Sequence, residues 1–438
     1  MKPMHIGLLG TGTVGGGTHE VLRRNRAEIA RRAGREIVVR MAAARDLEKA
    51  RGVVGADVEL TDDPFKVVAH PDIEIVVELI GGTDIARELV LAAISNGKHV
   101  VTANKALLAE HGNELMSAAQ KQGVSVAFEA AVAGGVPIIK ALRESLAANQ
   151  IEWVAGIING TTNYILSEMR DTGAAFETVL AEAQRLGYAE ADPTFDIEGV
   201  DAAHKLTIMA SLAFGIPIQL EKVHTEGISS LARVDISNAE EFGYRIKLLG
   251  ITKRVAEGIE LRVHPTLIPH RRLIANVEGA MNAILVKGDA VGPTLYYGAG
   301  AGAEPTASAV IADLVDVTRL HTADPDHRVP HFAFRMDQLS DVPVLPMGEV
   351  QSCYYMRVPV IDRPGVLADI TRILADGKIS IEAMLQREPA DGEDQVSIIF
   401  LTHMTRETDM NTAIERIEAL AVTVGSVTRI RIESLDGK

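Results

Sequence analysis

The chain holds one cysteine, Cys353, in 438 residues. A single thiol excludes an intramolecular disulfide and any zinc site built from cysteines. Basic charge is also short: 44 Lys and Arg stand against 59 Asp and Glu, a formal net charge of −15. That balance argues against a nucleic-acid surface, so no nucleic-acid partner is expected. Long apolar runs are missing too. No stretch of 18 apolar residues occurs, and the chain does not open on a charged segment followed by an apolar core. The expectation is a cytoplasmic protein without a membrane partner. What is present is apolar material, 47% of the residues, over a length that suits two to three domains.

His5–Leu9 reads as a short apolar strand, followed at once by Gly10-Thr11-Gly12-Thr13-Val14-Gly15. A helix running to about Arg32 comes next, with Val21, Leu22 and Ile29 on its apolar side. This is G-x-G-x-x-G at a strand-to-helix turn. Gly10 permits the tight turn, Gly12 admits a pyrophosphate to the backbone, Gly15 allows close helix–strand packing, and the phosphates sit at the positive helix end. The next strand, Ile37–Ala43, ends in Ala44-Arg45-Asp46. Arg45 suits a 2′-phosphate and favours NADP, whereas Asp46 keeps NAD open. An arginine that caps a solvated turn is the plain alternative.

Further strands are expected at Ile73–Ile80, His99–Thr102 and Val124–Phe128, with helices at Ile85–Asn96 and Leu107–Gln122. Ligands in such sheets bind at the carboxyl ends of the strands, so Thr102, Asn104, Lys105 and Glu129 are expected to face a cleft. The small-residue segment 130–137 offers backbone carbonyls that, with Glu129, suit a hard cation. By composition alone it reads rather as an ordinary linker that carries the chain out of the first domain. A helix at Ile138–Ala147 and a strand at Ile151–Ile158 lead to Asn159-Gly160-Thr161-Thr162-Asn163, whose amides and hydroxyls suit a helix cap or substrate contacts. Helices at Tyr164–Arg170 and Phe176–Leu186 precede an acidic loop carrying Glu190, Asp192, Asp196 and Glu198. The helix beyond it bears Asp201 and Lys205 four residues apart on one face. An acid and an amine so placed can grip an amino acid and move a proton, though a surface salt bridge explains the spacing as well.

Strands and loops alternate over about 240–298, and the glycine-rich tract 298–306 runs into a helix at Ala307–Arg319. That tract either returns to the cofactor site or serves as a hinge. The predicted class is α/β, with a Rossmann-like nucleotide-binding domain at 1–135, completed by about 300–322. An α+β substrate-binding and dimerisation domain at 136–299 follows, then a linker at 323–349. Residues 350–438 read as βαββαβ without a catalytic cluster, hence a regulatory module.

Taken together these segments resemble homoserine dehydrogenase of the long bacterial type with a C-terminal ACT domain. The likeness rests on the glycine turn, on Val101-Thr102-Ala103-Asn104-Lys105, and on Glu129 with its small-residue loop. It rests also on the 159–163 motif, on Gly187-Tyr188-Ala189-Glu190 with Asp192-Pro193, Asp201 and Lys205, and on Asp362-Arg363-Pro364-Gly365. The resemblance implies reversible, NAD(P)-dependent interconversion of L-aspartate 4-semialdehyde and L-homoserine, in threonine, methionine and isoleucine biosynthesis. Lys205 then supplies the proton and Lys105 fixes the reacting oxygen and the cofactor. Crowding of the two lysines predicts faster homoserine oxidation at alkaline pH. Glu190 and Asp201 grip the substrate, with Glu190 on the α-amino group, and Asn159, Thr161 and Tyr188 add contacts. Gly10, Thr11, Gly12, Thr13, Val14, Gly15, Arg45, Thr102, Lys105 and Gly302 are the implied cofactor contacts. Glu129 and the carbonyls of Val132, Gly134 and Val136 are the implied site of a monovalent cation, sodium. Asp362 and Gly365 mark an effector turn, threonine being the expected effector, and ACT pairing implies a homodimer or homotetramer. Two rivals exist. A dehydrogenase acting on an acyl phosphate needs a cysteine at its site, and Cys353 falls in the C-terminal unit. A non-catalytic amino-acid sensor would not need both lysines.

Overall fold

The computed structural model describes residues 2–387 and 394–436 and places the elements on two sheets. The first is parallel and is built from strands whose residues are apolar on both faces, as a sheet covered on both sides requires. Its elements are β1 (Met4–Leu9), α1 (Thr13–Arg24), α2 (Arg26–Ala33), β2 (Ile37–Ala43), α3 (Leu47–Val54), β3 (Glu59–Thr61) and α4 (Pro64–Ala69). They continue as β4 (Ile75–Glu78), α5 (Asp84–Ser95), β5 (His99–Thr102), α6 (Lys105–Gln122) and β6 (Val126–Ala127). The strand order is β3-β2-β1-β4-β5-β6, with Ile6 beside both Val39 and Ile75. The order reverses between β1 and β4, and a doubly wound sheet binds its ligand in the crevice outside that switch point.

The second sheet starts from β7 (Ile151–Ile157), reached through the short α7 (Ile138–Lys140) and one π turn. Helices α8 (Gly160–Thr172), α9 (Phe176–Arg185), α10 (Thr194–Ile197) and α11 (Val200–Phe214) follow. Then come β8 (His224–Thr225), α12 (Arg233–Glu241), β9 (Tyr244–Val255), β10 (Gly258–Pro269), β11 (Met281–Gly288) and β12 (Gly292–Ala299). Helix α13 (Ala303–Leu320) returns to the first sheet. Its Ala307, Val310, Leu314 and Val317 share one buried cluster with Ile6, Leu8, Val21 and Leu22. The glycine-rich tract is therefore a route back, and Gly17 meets Ala303 so closely that a Cβ there would stand 2.7 Å from its carbonyl oxygen.

The C-terminal unit holds β13 (Gln351–Ile361), α14 (Val366–Asp376), β14 (Ile381–Gln386), β15 (Gln395–Thr402), β16 (Thr405–Arg406), α15 (Glu407–Glu418) and β17 (Thr428–Ile432). Its core is separate, around Tyr354, Met356, Ile370, Phe400 and Met410. Its sheet is not: β17 pairs with β10 through Thr266–Arg431 and Leu267–Ile432, giving the order β12-β11-β7-β9-β10-β17-β13-β15-β14.

Several expectations are corrected. The helix expected to reach Arg32 breaks at Asn25, whose backbone leaves the helical region at φ −105°, ψ 19°. The segment between Asp46 and His70, for which no element is expected from the sequence, carries α3, β3 and α4. The strands expected at 73–80 and 124–128 shrink to four and two residues. The helix at 138–147 is one α turn followed by the π turn. The segment between α13 and β13 lacks long elements but packs firmly: Phe332 is fully buried, and Leu345 N–H donates to Ile259 O at 2.8 Å.

Candidate active site

The glycine turn takes the shape its residues dictate. Gly10 has φ +99°, a left-handed value that disfavours a side chain. A Cβ on Gly15 would stand 2.2 Å from Gly10 O, whereas one on Gly12 would meet nothing within 4 Å. Gly12 thus lies open at the N-cap of α1, where backbone N–H groups and the helix dipole favour a phosphate. A cleft of about 570 Å³ opens there, lined by Gly10, Thr11 and Gly12, by Arg45, Asp46 and Lys49, and by Ile80 and Gly81. Gly81 and Leu79 also line a second cavity of about 300 Å³, which continues past Val14 and Glu78 to Asn104, Lys105 and Phe195. The two make one path from the phosphate turn to Lys105. Thr13 occupies the first helical position of α1 beside this path.

At the far end two lysines share one acid. Asp201, 3% exposed near the start of α11, accepts from Lys205 Nζ at 2.7 Å through Oδ2, and its Oδ1 lies 3.0 Å from Lys105 Nζ. Asn159 Nδ2 donates to the same Oδ2 at 2.9 Å. Burial alone would raise this carboxyl; the Lys205 and Lys105 charges, with hydrogen bonds from Lys205 and Asn159, outweigh it and hold Asp201 well below the usual range. Lys205 also donates to Ile158 O at 2.7 Å, so two of its three N–H groups are used and one is free. Lys105 stands at the first position of α6, and its ammonium lies 5.6 Å from the centre of the Phe195 ring.

The acidic loop is tied to α8. Asp196 accepts from Asn159 Nδ2 at 2.7 Å, and the single hydroxyl proton of Thr161 lies between Tyr188 O at 2.7 Å and Asp196 at 3.1 Å. The Tyr188 ring stacks on Tyr164 at 4.5 Å. Glu190 is exposed, and its carboxylate has no hydrogen-bond partner among the described residues; only its carbonyl is held, by Gln184.

Three expected residues sit elsewhere. Thr102 is fully buried and gives its hydroxyl to Glu78 at 2.6 Å, so it supports the cleft wall and does not line it. Gly302 caps α13 and lines neither cavity. Glu129 is 2% exposed and turned from the cleft: its oxygens accept Ile139 N–H at 2.9 Å and Lys140 N–H at 2.8 Å. Asp201, expected on the substrate, spends both oxygens on the lysines and Asn159. Sequence reasoning passed over Glu78, Lys49 and Phe195. A carboxylate ending the apolar strand Ile-Val-Val-Glu was a visible signal for the first.

The family comparisons agree with this geometry. The family model described as "Homoserine dehydrogenase, NAD binding domain" matches residues 10–129, that described as "Homoserine dehydrogenase" matches 137–315, and the ACT domain matches 354–422. The homoserine dehydrogenase of Pseudomonas aeruginosa is 60% identical over 100% of both chains. The chain belongs to the homoserine dehydrogenase family. The Neisseria gonorrhoeae homoserine dehydrogenase is 59% identical over 99% of this chain and 100% of its own. Among solved structures, a homoserine dehydrogenase from Thiobacillus denitrificans superposes with a TM-score of 0.96 at 69% identity, covering 100% of this chain and 99% of that one. A hyperthermophilic archaeal homoserine dehydrogenase in complex with NADPH matches at TM-score 0.63 and 27% identity, over 74% of this chain and 99% of that one. The chain is thus an oxidoreductase, with a nucleotide-binding domain, a homoserine dehydrogenase catalytic domain and an ACT domain. Among the described residues no helix is long and apolar enough to cross a membrane.

Proposed function

We propose that the chain reduces L-aspartate 4-semialdehyde to L-homoserine reversibly, with NADP(H) preferred over NAD(H). The observation that carries this is Asp201 holding two ammonium groups at the end of the path from the glycine turn. A bound nicotinamide supplies or accepts the hydride at the aldehyde carbon. The carbonyl oxygen then becomes an alkoxide, which takes the free N–H proton of Lys205. Lys105, with one N–H on Asp201, keeps the others for that oxygen and the cofactor, and two cations beside a developing alkoxide lower its energy. Asp201, between them, offsets their repulsion. Recognition of the α-amino group is assigned to Glu190, whose carboxylate is unengaged, and Asn159, Thr161 and Tyr188 hold the loop that carries it.

The NADP preference rests on three residues at one end of the first cleft. Asp46 is spent as the N-cap of α3, accepting Lys49 N–H at 2.9 Å, which leaves Arg45 and Lys49 as two exposed cations for a 2′-phosphate. Glu129 fits a monovalent cation with the carbonyls of Val132, Gly134 and Val136. The donors are all hard oxygens on a turn that places Ala133 and Gly134 at φ +55° and +52°. Burial, and then the charge of Asp313, pushes Glu129 up to about 7, as expected of an acid lacking a close counter-ion. Sodium is the expected ion, and no chemical step passes through it. Threonine is the proposed effector, at the exposed turn of Asp362 and Gly365, where Gly365 (φ +95°) caps α14. A cytoplasmic setting, the threonine, methionine and isoleucine pathways, and a homodimer or homotetramer complete the proposal. Absorbance at the NAD(P)H band with aspartate semialdehyde is the test. Turnover is expected with both cofactors, faster with NADPH at low concentration and falling as threonine is added. Absence of turnover would overturn the reading.

A further inference from the structure

Glu78 ends β4 beside the second cavity and is fully buried, yet no basic side chain touches it among the described residues. Its Oε1 accepts the N–H groups of Ile80 at 3.0 Å and Gly81 at 3.2 Å. Its Oε2 accepts the Thr102 hydroxyl at 2.6 Å. Thr102 Oγ1 in turn accepts Asn104 N–H at 3.0 Å, and Asn104 Nδ2 donates to Gly82 O at 2.7 Å. Gly82 follows Gly81 directly, so the bonds close into a ring joining the end of β4 to the end of β5.

The ring has an output. Asn104 Oδ1 accepts Leu107 N–H at 3.1 Å as the N-cap of α6, and Lys105 is the next residue. Helix caps fix the entry direction of the chain, so whatever fixes Asn104 aims the Lys105 side chain. Gly81 and Gly82 have φ +72° and +73°, values that suit glycine, and both line the cavity that contains Lys105. A carboxylate here loses solvation on burial. An apolar residue here would leave Ile80 N–H, Gly81 N–H and the Thr102 hydroxyl without their acceptor. The acid is explained if the ring must be rigid and its acceptors fully used.

The geometry points to Glu78 as a positioning residue that acts through Thr102 and Asn104 to hold Lys105 in its reacting place. The inference rests on the reading of Lys105 as a residue at the reacting oxygen. Misplacement of a reacting group by about 1 Å costs roughly 10²-fold in rate. Glu78→Gln can keep the backbone N–H groups on its one oxygen but presents N–H groups to Thr102, so the hydroxyl proton loses its acceptor and that link of the ring must reverse.

Steady-state kinetics of the full chain in four forms test this: wild type, Glu78→Gln, Lys105→Ala and the double variant. Glu78→Gln is expected to lower kcat by about 30-fold while KM for NADPH changes by less than about threefold. In the Lys105→Ala background the same change is expected to cost less than about threefold, because its target is gone. An equal loss in both backgrounds would show a merely structural part and overturn the inference, as would a loss carried wholly by KM for the cofactor. Lys105→Ala at wild-type kcat would instead remove the role of Lys105 on which the inference stands. If Glu78→Gln does not fold, Thr102→Val opens the same ring and Thr102→Ser keeps it. Loss of kcat in the valine variant with recovery in the serine variant supports the positioning role. Wild-type kcat in the valine variant overturns it.

Discussion

At the cleft, one buried carboxylate, Asp201, is shared by two lysines. Where the ACT unit joins the catalytic sheet, two carboxylates share two arginines, of which Arg429 lies 3.2 Å from Glu226 and 2.6 Å from Glu407. Arg431, 1% exposed on β17, donates to both oxygens of Glu226 at 2.8 Å and to those of Glu407 at 2.9 and 2.6 Å. Tyr354 adds a hydrogen bond to Glu407 at 2.6 Å, and Arg357 grips Asp235 of α12 nearby at 2.7 Å. Each cluster holds a buried acid, Asp201 or Glu407, and keeps its acids ionised: against the pull of burial, His224 and then Arg431 hold Glu226, and Arg431 and then Arg429 hold Glu407, below the usual range. They differ in the cation. An ammonium can give up a proton and take it back, whereas a guanidinium stays charged but spans two carboxylates with fixed forks. The first suits a step in a reaction and the second a joint.

Exchanging the cations is the direct way to break that contrast. Lys205→Arg retains the charge beside Asp201 but removes the transferable proton, and kcat is expected to fall by about 10³-fold or more with the melting temperature nearly unchanged. Activity within tenfold of wild type would remove Lys205 as the proton donor. Arg431→Lys makes the opposite trade. It replaces two forks by one point charge and leaves Arg429 as the guanidinium beside both acids, at a cost of roughly 2 kcal/mol in unfolding free energy, and truncation to Ala costs about 3 kcal/mol. Chemical denaturation followed by far-UV dichroism measures this, and kcat of the folded Arg431→Lys enzyme is expected to stay within about threefold. A large kcat loss without a stability loss would mean that the joint takes part in the reaction.

The contrast also explains what could be read before the fold was known. Gly10–Gly15, Asn104-Lys105 and Asp201-Lys205 are local patterns, in which spacing and chemistry sit within a few residues. The nucleotide-binding sheet and the ACT unit came from the same kind of signal, alternating apolar strands and helices of ordinary length. Glu78 and Arg431 could not be read that way. Glu78 matters through Thr102, 24 residues on, and Arg431 through Glu226, 205 residues back. The pairing of β17 with β10 was equally hidden, because no local feature of Thr428–Ile432 names its partner strand. Thr102 shows the converse error. Its place at a strand end was right for a ligand, but the buried acid beside it took the hydroxyl first.

Acidification sharpens the comparison from a third direction, and its expected effect is the smallest. Asp201, Glu226 and Glu407 are all depressed, so the stability they contribute is present above the ordinary carboxylate range and is lost only in strong acid. Neither cluster should fail between pH 7 and pH 5. His99 should. It is 5% exposed on β5, and its Nδ1 accepts Ser125 N–H at 2.9 Å, a bond the doubly protonated ring cannot make. Burial, then the charges of Arg328, His321 and His331, lower it to about 4. Between the ordinary value of 6.5 and 4 the unfolded chain binds a proton that the folded chain refuses, so stability falls as pH falls through that window. From pH 7 to pH 5 the share of His99 in the change is about 2 kcal/mol, beside that of His331 and the opposite share of Glu129, whose raised carboxyl gains stability as pH falls. Urea denaturation at the two pH values measures it, and His99→Gln is expected to flatten the difference by most of that amount. A slope unchanged by the substitution would place the acid-sensitive group elsewhere, and a parallel loss of kcat in the folded enzyme would move it to the lysine cluster.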